Sequence, residues 1–151
     1  LLVRDFFADH LPAEWTVYVA PHLNGLKPSI LLLHPKVGIA VFAVMECDPG
    51  VKEYRTTRSA EGTWQLNAIS RDGSQTVIHN DPLRAIHTVK QSLLELYCPS
   101  LTEKVALSRE SESVITAGVI VIGMTTDAAQ ELFAPLRHYL RLGQAQESTT
   151  P

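Results

Sequence analysis

The sequence predicts an α/β domain in which a mixed central sheet, with a β-hairpin at its core, is flanked by helices. Two strongly apolar segments, 29–34 and 37–45, stand on either side of Pro35-Lys36, and a third covers 114–123. Nearly continuous apolar strands are typical of a sheet that is buried on both faces. Segments with helical spacing of apolar residues occur before and after the hairpin and supply the covering helices.

The elements up to the hairpin follow from spacing and from turn residues. Leu2, Phe6 and Phe7 share one face of a helix over 1–10, which Leu11-Pro12 ends. Residues 15–19 alternate as a half-buried strand. The segments 29–34 and 37–45 are then joined tightly enough to pair as a hairpin.

The elements after the hairpin are predicted to be shorter. Residues 52–62 are polar and are predicted to form a loop, followed by short strands over 64–69 and 75–78. Asp81 is a good N-cap for a helix that begins at Pro82. Either Thr126 or Asp127 is expected to cap the last helix. We expect Pro135 to divide that helix.

Composition places the chain among ordinary globular domains. Its 151 residues are 45% hydrophobic and 19% charged, with a net charge of −3, which excludes general disorder. No apolar stretch reaches the roughly 20 residues that a membrane-spanning helix needs, so no membrane partner is expected. The start of the chain shows no signal-peptide pattern, so the expected location is cytoplasmic, with Cys47 and Cys98 reduced.

His34 and the two tryptophan residues are predicted to have structural roles. His34 precedes Pro35 at the hairpin turn and is expected to shape that turn. Trp15 and Trp64 are expected to pack at an edge or in the core, which is commoner than base stacking. The sequence contains neither a phosphate-binding glycine loop nor a nucleophile elbow.

The segment 27–45 is the most informative part of the chain. Its sequence is KPSILLLHPKVGIAVFAVM, and softer similarities extend to 11–18, 80–82, 96–101 and 114–120. Together these segments resemble the nuclease-related domain (NERD) family, a branch of the PD-(D/E)XK nuclease-like superfamily found at the N-terminus of some bacterial superfamily 1 DNA helicases. The resemblance implies a NERD-like, restriction-endonuclease-like domain over 1–142, followed by a polar, flexible tail over 143–151. It also implies that the other domains of a larger helicase-like protein are partners.

The same resemblance identifies positions that have lost their chemistry. In the family, an Asp on one strand and a Glu two residues before a Lys on the next converge at the mouth of the hairpin. The carboxylates hold Mg²⁺, which activates water and stabilises charge on the phosphate. This chain has Ser29, Ala43 and Met45 at those positions, and Ala85 where the next helix often carries Gln. The resemblance therefore predicts a degenerate nuclease fold with no catalytic residue, metal ligand or cofactor.

Three functions stay open at this point. The first is a non-catalytic module that positions DNA or contacts other domains. The segment 50–90 has a net positive charge and supplies three candidate DNA-binding residues for this function, Arg55, Arg58 and Arg71. The fourth candidate, Lys36, lies in the hairpin turn. The second is an active Mg²⁺-dependent nuclease with a relocated metal site at Glu46 or Asp48, which requires a bulge because both residues have the parity of Val44. The third is a protein–protein interaction domain, including a homodimer formed through an apolar sheet edge.

Overall fold

The computed structural model describes residues 2–23, 25–80, 82–97 and 115–146. These residues form an α/β fold with two sheets and three helices, which confirms the predicted class. The helices are α1 (Leu2–His10), α2 (Pro82–Tyr97) and α3 (Thr126–Gln146). The strands are β1 (Thr16–Val19), β2 (Ile30–His34), β3 (Gly38–Glu46), β4 (Val51–Arg58), β5 (Trp64–Ser70), β6 (Gln75–Asn80) and β7 (Ile115–Ile122).

The two sheets have different topologies. The first is mixed, in the order β1-β2-β3-β7, and the second is antiparallel, in the order β4-β5-β6. Because β1 pairs antiparallel with β2, and β2 with β3, the parallel neighbours are β3 and β7. A parallel pair requires a crossover, which α2 provides. The three strands that follow β3 in sequence, β4, β5 and β6, are inserted before this crossover and form a sheet of their own.

The chain divides into two compact units. The first comprises Leu1–Val44 and Ile86–Ile120, and the second comprises Met45–Ala85 and Val121–Pro151. The first unit therefore holds α1, β1, β2 and most of β3, α2 and β7. The second unit holds β4, β5, β6 and α3.

The core of the first unit lies between α2 and one face of the mixed sheet. On the sheet side, Leu31 of β2 is opposite Val41 of β3. On the helix side, the buried residues recur at the spacing of one helical face. The buried cluster consists of Leu31, Val41, Ile86, Val89, Leu93, Leu94 and Ile115. The apolar face of α2 therefore packs against the sheet.

The opposite face of the mixed sheet is covered by α1. The Phe7 ring stacks on Phe42 of β3, with 6.3 Å between the ring centroids. Phe42 also needs the absence of a side chain at Gly118, where a Cβ would lie 3.3 Å from its ring. Burial of the consecutive residues Ile30, Leu31 and Leu32 shows that both faces of β2 are covered, as the apolar pattern predicts.

His34 organises the turn between β2 and β3. Its Nδ1 accepts hydrogen bonds from the backbone N–H groups of Lys36 (3.1 Å) and Val37 (3.0 Å). The Trp15 ring lies against the imidazole, with 4.9 Å between the centroids. The predicted turn role of His34 is confirmed, and Trp15 packs at the edge of the sheet.

The second unit is built on β4, so the loop predicted over 52–62 is wrong. The segment Val51–Arg58 is a strand, and it pairs antiparallel with β5 from its first residue to its last. Its exposed charged residues alternate with half-buried Tyr54 and Thr56, and aromatic and β-branched residues favour strands. An edge strand with one solvated face resembles a loop in overall polarity, which explains the error.

Helix α3 differs from prediction at its cap and at its proline. Thr125 is the cap, because its Oγ1 accepts the N–H of Ala128 (3.4 Å) and its carbonyl accepts the N–H of Ala129 (3.0 Å). The helix continues through Pro135, so the predicted division there is also wrong. Pro135 has no N–H to donate to the carbonyl of Glu131 four residues earlier. The neighbouring carbonyl of Leu132 accepts a hydrogen bond from the hydroxyl of Thr56 (2.7 Å). This bond ties α3 to β4.

Several predicted features fall at or beyond the limits of the described residues. Helix α2 begins at Pro82 as predicted, but its predicted cap Asp81 lies outside the described residues, and so does Cys98. Helix α3 runs to Gln146, past the predicted start of the tail at 143, and 147–151 lie outside. Among the helices described, none is both long enough and apolar enough to cross a membrane.

Candidate functional site

The candidate site lies at the end of the hairpin opposite its turn, where β2 begins and β3 ends. Because Ile30 is opposite Phe42, the register places Ser29 beside Ala43. Met45 follows two residues later along β3, on the same side of the strand as Ala43. These are the three positions that the sequence resemblance singles out, and their chemistry decides what this end of the hairpin can do.

The hydroxyl of Ser29 is committed to the hairpin. Its Oγ accepts a hydrogen bond from the backbone N–H of Val44 at 2.9 Å. The Ser29 carbonyl accepts the N–H of Ala20 at 2.8 Å, which extends the pairing of β1 with β2. Ser29 therefore joins the ends of three neighbouring strands through hydrogen bonds and acts as a structural residue.

The other two positions are apolar and packed. Ala43 lies against the buried cluster of the first unit, and Met45 is 7% exposed. Magnesium is held by oxygen ligands, and neither a methyl group nor a thioether supplies one. One engaged hydroxyl and two apolar side chains do not provide the chemistry of a hydrolytic metal site.

The two candidates for a relocated metal site lie at the end of β3 and in the turn after it. Glu46 is the last residue of β3 and is exposed. Asp48 shapes the turn: its Oδ1 accepts the N–H of Gly50 at 2.7 Å, and its own N–H donates to the hydroxyl of Tyr54 at 2.7 Å. Within the described part of the chain, no three His, Cys, Asp or Glu side chains are grouped closely enough to hold a metal ion.

The predicted DNA-binding cations occupy separate places. Lys36 is exposed in the hairpin turn of the first unit. In the second unit, Arg58 is opposite Trp64 at the start of β5, whereas Arg71 follows the end of β5. Seven strand residues separate those two ends by about 20 Å. Arg58 and Arg71 therefore do not form one cluster.

The arginines of β4 also have partners within the chain. Arg55 donates from Nε (3.1 Å) and Nη2 (2.8 Å) to the same carboxylate oxygen of Glu53. The guanidinium of Arg58 lies 5.0 Å from the centre of the half-buried Trp64 ring. The first contact reduces the charge that Arg55 presents, and the second is a cation–π contact that holds an arginine over an aromatic face.

Within the described ranges, two titratable groups have clearly shifted pKa values. Burial raises the pKa of the free thiol of Cys47. The pKa of the exposed Asp72 carboxyl is lowered by hydrogen bonds from the Ser74 hydroxyl and N–H, which donate to it in the β5–β6 turn. Each shift reinforces the ordinary state of its group at neutral pH, so neither indicates an acid–base centre.

A groove in the second unit was not predicted from the sequence. It has a volume of about 440 Å³ and lies between β4 and α3. Its lining residues are Glu53, Tyr54, Arg55, Thr56, Met124, Ala128, Glu131, Leu132 and Pro135. The spacing of residues 128, 131, 132 and 135 on one face of a helix can be recognised in the sequence. The strand on the other side of the groove, β4, has the polarity of a loop.

Comparisons with protein-family models, with curated proteins and with solved structures found no match to this chain. The resemblance to the nuclease-related family therefore depends on the motif at 27–45 and on the softer segments around it. Ala85, the fourth position that this resemblance singles out, is exposed in the first turn of α2.

Proposed function

We propose that this chain is a catalytically degenerate nuclease-like domain that positions DNA, or contacts other domains, within a larger helicase-like protein. The observation that carries the proposal is the end of the β2–β3 hairpin. The backbone there brings the three motif positions to neighbouring places along the hairpin, while the Ser29 hydroxyl accepts the N–H of Val44 and the half-buried Ala43 packs against the core. A restriction-endonuclease-like arrangement is supported by the mixed sheet, its central hairpin, and helices α1 and α2 on opposite faces.

The DNA-positioning role is supported by cations that remain accessible. Lys36 and Arg71 are exposed in turns, where side chains can reach a phosphate backbone. Arg58 over Trp64 pairs a cation with an aromatic face, a combination that suits an unpaired nucleotide. Phosphate contacts of this kind position a nucleic acid without reading its sequence.

Supercoiled plasmid is expected to remain uncut by the purified protein in Mg²⁺ or Mn²⁺, because the hairpin offers no ligand set for a hydrolytic metal. The measurement is conversion to nicked or linear plasmid on a gel. Metal-dependent cutting would contradict the proposal. If the Glu46→Ala or Asp48→Ala variant then abolished that cutting, the active nuclease with a relocated site would take the proposal's place.

Binding to a fluorescent DNA is expected to weaken as salt rises, because phosphate contacts release counterions. Replacing Arg58 or Arg71 by Glu should make the salt dependence shallower. The magnitude of the negative slope of log affinity against log salt should fall by about one for each phosphate interaction that the substitution removes. Arg4→Glu is the control, since Arg4 lies on α1 and already pairs with Asp5 at 2.7 Å. Slopes that are equal in all three variants would contradict DNA positioning by these arginines.

A protein–protein interaction domain is the second candidate, and the edge strand β6 favours it. The strand over Gln75–Asn80 contains no charged residue and no proline. Val77 is 48% exposed and Ile78 is 39% exposed. Edge strands of natural proteins usually carry charges or proline that prevent pairing with another chain, so this edge is open to a second copy.

A further inference from the structure

The groove between β4 and α3 has the form of a cleft for an extended peptide. Strand β4 is at one edge of its sheet and lines the groove with the four consecutive residues 53–56. Side chains alternate between the two faces of a strand, so a groove that meets consecutive residues runs along the backbone edge. The other wall is one face of α3, formed by Ala128, Glu131, Leu132 and Pro135.

The backbone groups on this edge are available for pairing. Ser59 N–H donates to the Thr63 carbonyl (2.8 Å) where β4 and β5 meet at their turn. Hydrogen-bonded and non-bonded pairs alternate along an antiparallel ladder, so the backbone groups of Tyr54 and Thr56 point away from β5. No other described strand pairs with this edge of β4. A row of unpaired N–H and C=O groups is a template for an additional strand.

The bond between Thr56 and Leu132 sets the spacing of the two walls. It uses the hydroxyl of Thr56 and the carbonyl of Leu132 at 2.7 Å. The backbone N–H and carbonyl of Thr56 are not consumed by this bond. The helix is therefore held beside the strand while the edge stays open.

The charges of the groove select its occupant. Its lining contains the carboxylates of Glu53 and Glu131 and the guanidinium of Arg55. Arg55 is paired with Glu53 at 2.8 Å, whereas Glu131 has no ion-pair partner among the described residues. The net charge of the lining is −1, from two acidic residues and one basic residue, so a basic ligand is favoured.

We propose that the groove binds an extended, basic peptide segment of a partner protein, which adds a strand to the β4–β5–β6 sheet. Backbone pairing with Tyr54 and Thr56 supplies affinity, and alternate side chains of the peptide meet Glu131 and the apolar face of α3. This role is separate from the proposed DNA contacts, and it stands whether or not the chain binds DNA.

The test is a fluorescence anisotropy titration of the full chain with a fluorescein-labelled KVKVKVK peptide. We expect this peptide to bind, and we expect a labelled EVEVEVE peptide and a KVKVKVK peptide with N-methylated valines to bind at least about tenfold more weakly, because they lack the charge or the donors. Equal binding of the N-methylated peptide, or no binding of KVKVKVK, would overturn the proposal.

Matched variants locate the binding to the groove. Glu131→Lys should weaken binding of KVKVKVK about tenfold, while Glu95→Lys on the exposed face of α2 should leave it unchanged. Thr56→Pro removes the outward N–H, a change that an edge strand tolerates, and should weaken binding more than Thr56→Val, which removes only the hydroxyl. Circular dichroism identifies any variant that fails to fold. Folded Glu131→Lys and Thr56→Pro variants that bind like the parent chain would place the peptide elsewhere and refute the proposal.

Discussion

Replacing Ala43 by Glu is expected to lower the free energy of unfolding by about 3 kcal/mol at pH 7, although Glu is the residue that the proposed family carries there. Ala43 packs against the cluster that contains Leu31 and Val41. Because Ala43 is half-buried, an ionised carboxylate at this place loses part of its hydration, and it must also fit against the packed cluster. The residue two places on is Met45, which is buried and has no charge to offer.

The pH dependence of the Ala43→Glu variant provides a second measurement. Burial should raise the pKa of the new carboxyl above its value of about 4.3 in the unfolded chain. The native state then binds more protons than the unfolded state between the two pKa values, so the free energy of unfolding falls as pH rises through that window. The full penalty is present above the native pKa and is relieved below pH 4.

Ala43→Gln is the matched control, since Gln has the size of Glu without its charge. Urea denaturation of both variants at pH 4 and pH 8 should show a loss of stability with pH for Glu and no corresponding change for Gln, each relative to the parent chain. Parallel pH profiles would contradict the conclusion that this end of the hairpin is an apolar, uncompensated environment.

The hairpin and α2 could be predicted because each depends on local and strong signals. The segments 29–34 and 37–45 contain more apolar residues than a strand with one buried face requires. Pro35 leaves one place for the turn between them. Pro82 marks the start of α2, and the apolar positions Ile86, Val89 and Leu93 recur at helical spacing. In these elements the pattern of burial, the backbone preference and the turn residues favour the same structure.

Strand β4 and the cap of α3 could not be predicted because their signals are ambiguous. The alternation of charged residues with Tyr54 and Thr56 suits an edge strand, but an irregular polar segment has the same composition. Thr125, Thr126 and Asp127 are all able to cap a helix, and the choice of Thr125 depends on where β7 ends. The groove depends on both elements, so it could not be predicted either.

At the candidate site, the chemistry of the side chains could be predicted from the sequence, but their contacts could not. That Ala43 and Met45 offer no oxygen ligand and Ser29 only a hydroxyl follows from residue identity. The bond from Val44 N–H to the Ser29 hydroxyl depends on the register at the end of the hairpin. It gives the Ser29 hydroxyl a structural role, which the sequence alone does not reveal.

Replacing Leu66 by Ala is expected to lower the free energy of unfolding by about 3 kcal/mol and to loosen the groove. Leu66 is fully buried in β5, the central strand of the second sheet. Removing a buried leucine side chain loses its transfer free energy and leaves a cavity. Because Leu66 is opposite Thr56, the cavity forms beside the residue whose hydroxyl holds α3.

Two measurements separate these effects of Leu66→Ala. Urea denaturation should give the loss of stability, and the exposed Val77 of β6 supplies a control, since Val77→Ala should change the free energy of unfolding by no more than about 0.5 kcal/mol. Amide hydrogen exchange in native conditions should accelerate in β4 more than in the β2–β3 hairpin, because the cavity weakens the sheet that β4 borders. Uniform acceleration in both places would mean that Leu66 supports global stability without supporting the wall of the groove.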